Sequence, residues 1–279
     1  MSRALVLCFT LILVACSQSE DPSTLVPEVA AKASETSPAA RATQPRQKII
    51  IGADPWCPHN CEAGSDREGY MVDIAREVFA LAGVDVEYVN MSWARAIQQA
   101  RDGYIDGVVG ALHGDVPDFV FPEEATGHTA TALYTHPDNA WNYRGTDSLS
   151  DLTLLAINGY SYSPELDAYI AEHQDDPGKV WILSGPAPLS RAIELLDKHR
   201  SDVFPEDREV MELALQQQGN PIALRMTDVI HQAPIYIAFS PGNQDSEELS
   251  DLLSEGTRAL KKSGRIEQIM ARYGLTWPE

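Results

Sequence analysis

The chain is poor in basic residues and has no long apolar run. Its 279 residues include 21 Lys and Arg against 41 Asp and Glu, a formal net charge of −20 at pH 7. A surface this acidic repels phosphate backbones, so we expect no nucleic-acid partner. The apolar run over residues 4–14 is too short to span a bilayer. The hydrophobic content of 44% is nevertheless typical of a globular protein with a sizeable core.

Sequence signatures of catalysis are also missing. There is no glycine-rich nucleotide loop, no Ser, His and Asp order that indicates a hydrolase triad, and no His-x-x-x-His pair. The seven histidines are scattered along the chain. We therefore expect no catalytic residue, no metal site and no cofactor.

The first residues indicate export. Arg3 and the apolar run precede Leu13-Val14-Ala15-Cys16, which resembles a bacterial lipobox. This resemblance implies a signal peptide over 1–15 and a lipid on Cys16; a plain secretory signal with a chance cysteine is the alternative. Ser17 rather than Asp follows the cysteine, and by resemblance to Gram-negative sorting rules this favours the outer membrane over the inner one. Residues 16–47 are rich in Ser, Pro, Ala and Thr and predict a disordered tether, so the body faces the periplasm from a lipid anchor.

The cysteine count fits an exported protein. Of four cysteines, Cys8 is removed with the signal and Cys16 carries the lipid, which leaves Cys57 and Cys61. In an oxidising compartment a disulfide between them is the default expectation. Metal or redox chemistry remains an alternative, but the spacing is C-x3-C rather than C-x-x-C, and zinc would need two further ligands.

Apolar periodicity predicts alternating strands and helices. After a strand at 49–51, a helix within 69–83 carries an apolar stripe of Met71, Ile74, Val78 and Leu81. A strand at 84–89, a helix from Trp93 and a strand near 107–110 follow. This β-α-β-α-β order indicates a parallel sheet with crossover helices. A second α/β unit covers 131–217, and a strand at 235–240 precedes two helices at 247–263 and 265–273.

Three passages in this order resemble the type 2 periplasmic solute-binding proteins of family 3, the polar amino-acid ABC transporter type. They are residues 69–75, residues 103–107, and residues 236–239 with the helices that follow. The resemblance spans 48–277. It implies an α/β fold of two lobes, each a mostly parallel sheet flanked by helices, built from 48–128 with 235–279 and from 129–234. The chain would cross between lobes near 126–131 and 231–234, with the ligand in the cleft.

The family's arginine for the ligand carboxylate is missing from this chain. The matching segment after the third strand contains Ala111 and His113 and no Arg. We expect these two positions in the site, although a loop histidine is commonly just solvated. Arg95, in the first turn of its helix, is the candidate replacement; a surface arginine paired with one of the many acids is the alternative.

Other ligand-binding candidates follow strand ends. Asp54 and Trp56 come after the first strand and offer a carboxylate beside a flat apolar face. Tyr160 and Ser161 precede a helix, where free backbone N–H groups can bind an anion or simply be capped. The remaining two candidates are acids at the end of a strand in the second lobe: Glu206 and Asp207. Asp207 matches the family's ammonium-binding acid, with helix capping as its alternative role.

These observations predict a monomeric solute-binding lipoprotein that takes up a small polar molecule, amino-acid-like or cationic, for an ABC permease. No chemistry is expected. A lipoprotein that senses a ligand or docks on another membrane receptor would keep the same fold and tether. A dehydratase on this fold is a third possibility, but it needs basic residues for its substrate's carboxylates, and the cleft segments have few.

Overall fold

The computed structural model describes residues 47–185, 187–217 and 222–277. The predicted signal peptide, Cys16 and the tether up to residue 46 lie outside the described residues. Within the described part of the chain, no helix combines the length and the apolar character needed to cross a membrane.

The described residues form a mixed α/β fold, as predicted. The strands are β1 (Gln47–Ala53), β2 (Val84–Asn90), β3 (Gly107–Ala111), β4 (Gly127–Thr135), β5 (Leu154–Ile157), β6 (Val180–Leu183), β7 (Phe204–Asp207) and β8 (Arg225–Phe239). The helices are α1 (Tyr70–Leu81), α2 (Trp93–Arg101), α3 (Pro164–His173), α4 (Pro188–Asp197), α5 (Arg208–Gln216), α6 (Ser246–Lys262) and α7 (Arg265–Ala271), with a short 3-10 helix at Thr146–Leu149.

Six strands make one sheet in the order β2-β1-β3-β8-β4-β7, and β5 and β6 pair in parallel beside it. β1 is parallel to β2 and β3, as the β-α-β-α-β order predicts. The expectation of mostly parallel sheets needs correction, because β8 runs antiparallel to β3 and β4, and β4 runs antiparallel to β7. A parallel bridge from Leu154 to Val203 links β5 to the segment entering β7.

β8 is longer than the sequence predicts, because it begins at Arg225 and not near residue 235. β4 and β8 pair from Gly127 opposite Ile235 to Thr135 opposite Arg225. The early part of β8 alternates between exposed and partly buried residues, so it lacks the continuous apolar run of a buried strand. Both predicted crossings, 126–131 and 231–234, fall within or against this antiparallel pair.

The buried apolar residues fall into separate clusters. One contains side chains from β1 to β3, the last part of β8, and helices α1, α2, α6 and α7. Two others contain side chains from β4 to β7 and from α3, α4 and α5. Helix α1 belongs to the first cluster through Met71, Ile74 and Val78, but Leu81 is 78% exposed, so its predicted place in the buried stripe is wrong. Phe79, fully buried, packs there instead.

Helix α1 starts at a glycine that no other residue can replace without strain. Gly69 has φ of 103°, and a Cβ on it would lie 2.4 Å from Asn60 Cα and from the His59 carbonyl oxygen. This close approach places α1 directly against the loop that contains Asn60. The backbone N–H groups of Tyr70 and Met71 then donate to the carbonyls of Pro58 and His59.

We predict that Gly69→Ala lowers the free energy of unfolding by about 3 kcal/mol, because it adds a steric clash to a left-handed backbone. Gly83→Ala is the matched control: its φ is also positive, at 77°, but a Cβ there meets nothing within 4 Å. The control should lose about 1 kcal/mol. Urea unfolding of both variants measures the difference, and equal losses would show that the close approach at Gly69 is unimportant.

Candidate ligand-binding site

A cavity lies where β1, β3, β5 and β7 end, the edge at which α/β sheets usually bind ligands. The enclosed space is small, about 40 Å³, and it reaches about 460 Å³ only when the open mouth is counted. Its lining residues are Asp54, Trp56, Asn60, Trp93, Val109, Gly110, Leu112, Asp115, Thr129, Thr131, Tyr160, Ser161, Tyr162, Glu206 and Asp207.

The loop after β1 is braced by its own contacts. Cys57 and Cys61 form the predicted disulfide. Trp56 N donates to the Asn60 carbonyl at 2.6 Å, and Asn60 Nδ2 donates to the Asp54 carbonyl at 2.7 Å. These bonds fix the backbone on both sides of Trp56 and leave its indole directed into the cavity.

Hydrogen bonds join the segments after β1 and β3 to β7 and to the segment after β5. Trp56 Nε1 donates to Glu206 Oε1 at 2.8 Å. Tyr160 Oη donates to Asp54 Oδ2 at 2.9 Å. The backbone N–H of Ser161 donates to a carboxylate oxygen of Asp115 at 2.7 Å. The cavity is therefore closed by polar contacts between residues that are far apart in sequence.

Three of the lining carboxyl groups have pKa values raised above their ordinary range. Burial raises the pKa of Asp54 to about 6, opposed by the hydrogen bond from Tyr160. Burial also raises the pKa of Asp115 to about 8 and that of Glu206 to about 8. Among the described residues that line the cavity there is no Arg, Lys or His to supply a compensating positive charge.

Asp207 differs from the other three acids because it is fully paired within the protein. Its Oδ2 accepts from Thr129 Oγ1 and Ala130 N, and its Oδ1 accepts from Val210 N in the first turn of α5. His59 Nε2 lies 3.1 Å from Oδ1. Burial acts to raise the pKa of Asp207, but His59 and the backbone hydrogen bonds outweigh it and hold the pKa below its usual range. Asp207 therefore has the helix-capping role that was considered for it, and it also lines the cavity.

Six predicted residues line this cavity and three do not. Those that do are Asp54, Trp56, Tyr160, Ser161, Glu206 and Asp207. Arg95 is exposed because, two residues after the inward-facing Trp93, it lies on the opposite side of α2. Ala111 is buried in β3, while its neighbours Gly110 and Leu112 line the cavity. His113 stacks on Phe121 with ring centroids 3.9 Å apart, outside the lining.

Sequence reasoning missed Asp115 and Asn60. Asp115 belongs to the same segment as His113, but a turn from Leu112 brings the chain back, and its Oδ2 accepts from Leu112 N at 2.8 Å. Asn60 lies inside the C-x3-C loop, directly before Cys61. The sequence signals for these two residues are a short acid-containing turn after β3 and a polar side chain within the C-x3-C loop.

Two groups of side chains bring possible metal-ligand atoms within 4.8 Å of one another in the described residues. One consists of His136, Asp138 and His199, and the other of His59, Asp207 and Glu209. In the second group, both oxygens of Asp207 already accept hydrogen bonds. The first lies apart from the cavity lining.

The raised pKa of Glu206 predicts a pH dependence of stability. Its ordinary pKa is 4.5, so between about pH 4.5 and 8 the unfolded chain loses this proton while the folded chain keeps it. The free energy of unfolding of the ligand-free protein should therefore fall with rising pH in this window, by about 1 kcal/mol per pH unit for one such group.

Glu206→Gln should reduce this slope, because the amide stays neutral at every pH; Asp54 and Asp115 would maintain the rest. Exposed Glu212, changed to Gln, is the matched control and should retain the full slope. Urea unfolding at pH 5 to 8 measures it. Identical slopes in both variants would contradict a buried neutral Glu206.

Comparisons with known proteins fit this geometry. Residues 49–115 match the sequence model of the bacterial extracellular solute-binding proteins, family 3. No curated protein matches the chain in sequence. The family match confirms the predicted resemblance over residues 49–115.

Solved structures share the fold. One of them comes from work on glutathione import through GshT and the cystine ABC importer TcyBC of Streptococcus mutans. It has a TM-score of 0.68 at 15% identity, and the match covers 84% of this chain and 98% of the other chain. A histidine kinase sensor domain with similarity to periplasmic binding proteins has a TM-score of 0.68 at 18% identity, covering 84% and 100%. The P235GK mutant of ArgBP from T. maritima has a TM-score of 0.66 at 18% identity, covering 82% and 96%. At these identities the likeness concerns the fold, and it confirms the predicted fold class.

Proposed function

We propose that this chain is an envelope solute-binding protein that captures one small polar molecule in the cavity and presents it to an ABC permease. The observation that carries the proposal is the cavity itself. It is lined by aromatic faces and convergent polar groups, and hydrogen bonds between distant segments close it. The family match and the fold support a binding role.

In this proposal the chain has two lobes, 48–128 with 235–279 and 129–234, joined by β4 and β8. The separate apolar clusters support that division, since each draws its residues from one of the two sets of segments. Ligand entry then requires the lobes to part. The contacts that must break include the hydrogen bonds from Trp56 to Glu206 and from Tyr160 to Asp54. The hydrogen bond from Ser161 N to Asp115 and the contact between His59 and Asp207 also join the two lobes.

We infer that the protein binds its ligand without transforming it. A dehydratase acting on a small carboxylic acid needs cations to hold the substrate's carboxylates. The described cavity lining offers four carboxyl groups and no basic side chain.

The same proposal includes a lipid on Cys16, location at the outer membrane, a monomeric state and no nucleic-acid partner. The lipobox resemblance and the acidic composition support these points.

A sensing role on a membrane receptor is the second candidate. The histidine kinase sensor domain with this fold favours it. The two roles share the cavity and differ in the protein that receives the closed form. Crosslinking in the native envelope distinguishes them: capture of a permease supports transport, whereas capture of a kinase or another receptor without a permease supports sensing.

Capture of a solute predicts that purified protein retains or binds a small molecule. Native mass spectrometry of the protein as purified should show a bound species. A melting-temperature screen with amino acids, amines and osmolytes should give at least one stabilising compound, with about 2.7 kcal/mol of added stability at one hundred times its dissociation constant. No bound species and no stabilising compound would contradict the proposal.

Trp56→Phe tests the site itself. The change removes the N–H that donates to Glu206, one of the hydrogen bonds that close the cavity. Binding of the stabilising compound should therefore weaken roughly tenfold to a hundredfold, the usual effect of losing a hydrogen bond to a charged or ionisable group. Trp141→Phe is the matched control, because Trp141 Nε1 donates to the Ser148 carbonyl away from the cavity. Equal affinities in both variants would place the ligand elsewhere.

A further inference from the structure

We propose that the cavity selects small primary ammonium ions that carry no carboxylate, and that Glu206 Oε2 and Asn60 Oδ1 accept their N–H groups. This inference rests on the proposed function and names the chemical class of the ligand. It departs from the amino-acid ligand that the family resemblance suggests.

The first argument is the charge of the lining. Asp54, Asp115, Glu206 and Asp207 all line the cavity, and of the described lining residues none is basic. The predicted substitute for the missing arginine, Arg95, is exposed and points away. A ligand carboxylate would therefore meet acids without a cation to pair with, which is costly in a buried site. A cationic ligand would instead supply the positive charge that these acids lack.

The second argument is a pair of buried acceptors that are left over. Glu206 is 1% exposed; its Oε1 accepts from Trp56 Nε1 and from Asp207 N, whereas its Oε2 makes no hydrogen bond to any described residue. Asn60 is also 1% exposed; its Nδ2 donates to the Asp54 carbonyl and to Tyr88 Oη, and its Oδ1 has no partner among the described residues. Buried acceptors without partners are rare, and both of these belong to lining residues. A group that brings several N–H donors satisfies them.

Space beside Asn60 is kept open by a glycine. A Cβ on Gly110 would lie 3.2 Å from Asn60 Oδ1 and 3.4 Å from Trp56 Cε3. Any larger residue would press on the free oxygen and on the indole. The glycine therefore leaves access to the acceptor at the cavity wall.

The third argument excludes Asp207 as the main partner of the cation. Its two oxygens accept three hydrogen bonds from the protein, and His59 Nε2 lies 3.1 Å from one of them. Asp207 is thus already compensated. The family-based expectation that it binds the ligand's ammonium group passes, in this chain, to the neighbouring Glu206.

Aromatic rings provide a place for the rest of the ligand. Trp56, Trp93, Tyr160 and Tyr162 line the cavity. The hydroxyl groups of both tyrosines are engaged, since Tyr160 donates to Asp54 and Tyr162 accepts from Ile157 N. Their rings therefore offer apolar and cation-attracting faces, which suit a short alkyl chain next to an ammonium group.

Binding of an ammonium ion should release protons. Glu206 holds its proton at neutral pH, and a bound cation favours the ionised carboxylate, so affinity should rise with pH from 6 to 8 while the amine remains charged. The titratable groups around Glu206 are Asp54, His59, Asp115, Tyr134, Tyr160, Tyr162 and Asp207. Asp54 and Asp115, with raised pKa values, change affinity in the same direction as Glu206.

Isothermal titration of the folded protein at pH 8 tests the proposal with four probes: n-butylamine, putrescine, 4-aminobutyrate and choline. The two amines should bind. 4-Aminobutyrate adds a carboxylate and choline lacks N–H groups on its cation, so both should bind more weakly by roughly tenfold or more. At pH 7, the measured enthalpy should depend on the buffer, which reports proton release. Tight binding of 4-aminobutyrate or choline together with weak binding of the amines would overturn the proposal.

Variants locate the contact. Glu206→Gln and Asn60→Ala should each weaken n-butylamine binding roughly tenfold to a hundredfold, and Glu212→Gln on the exposed face of α5 should leave it unchanged. Unchanged amine affinity in Glu206→Gln would overturn the assignment. The selectivity among the four probes is measured on the unaltered chain, so the proposal can still be tested if a variant fails to fold.

If amino acids bind and amines do not, the ligand class is wrong and solute capture stands. If no compound of any class binds, solute capture itself fails.

Discussion

Burial of several carboxyl groups in one cavity is the constraint on which the site depends. An ionised carboxylate is expensive to remove from water, so each acid must be neutralised, paired or hydrogen-bonded. Asp54 and Asp115 use hydrogen bonds from Tyr160 and from the backbone of Ser161, and burial still raises the pKa of both. These same bonds join the segments on the two sides of the cavity. The polar groups that make the cavity costly to close are thus also those that hold it closed.

His59 lies beside one of these acids, Asp207, across the closed cavity. It is fully buried, with Nε2 near Asp207 and Nδ1 2.7 Å from Tyr70 Oη. Its position depends on the loop braced by the Cys57–Cys61 disulfide, against which Gly69 lets α1 approach. Asp207 is therefore paired within the protein when the cavity is closed, whereas Oε2 of Glu206 has no partner among the described residues. This difference between adjacent residues underlies the ligand class inferred above.

The sequence predicted the order of elements and the residues that directly follow β1 and occupy β7, because strand ends meet at one edge of a sheet whatever the packing. It did not predict features that depend on direction or distance. Leu81 fits the helical spacing but lies past the last contact of α1 with the core. Arg95 lies two residues after Trp93 and so faces the other way. Asp115 reaches the cavity only because a turn follows β3, and the polar early part of β8 becomes a strand only by pairing with β4. The periodicity of apolar residues along the chain does not carry information on these side-chain directions, on the turn or on the strand pairing.

The antiparallel pairing of β4 with β8 has a consequence for how such a protein changes over generations. In the described part of the chain, both passages between the apolar clusters are hydrogen-bonded strands, and their register shifts near Thr131 and Leu133. A ribbon of this kind can flex with its backbone bonds intact, so the balance between open and closed forms depends on the few side chains that meet at the cavity. Exchanging one or two of them would alter what is captured and how firmly the cavity shuts, while the scaffold keeps its stability. In this chain two such positions are the segment after β3, which contains no arginine, and Glu206, whose Oε2 has no partner among the described residues.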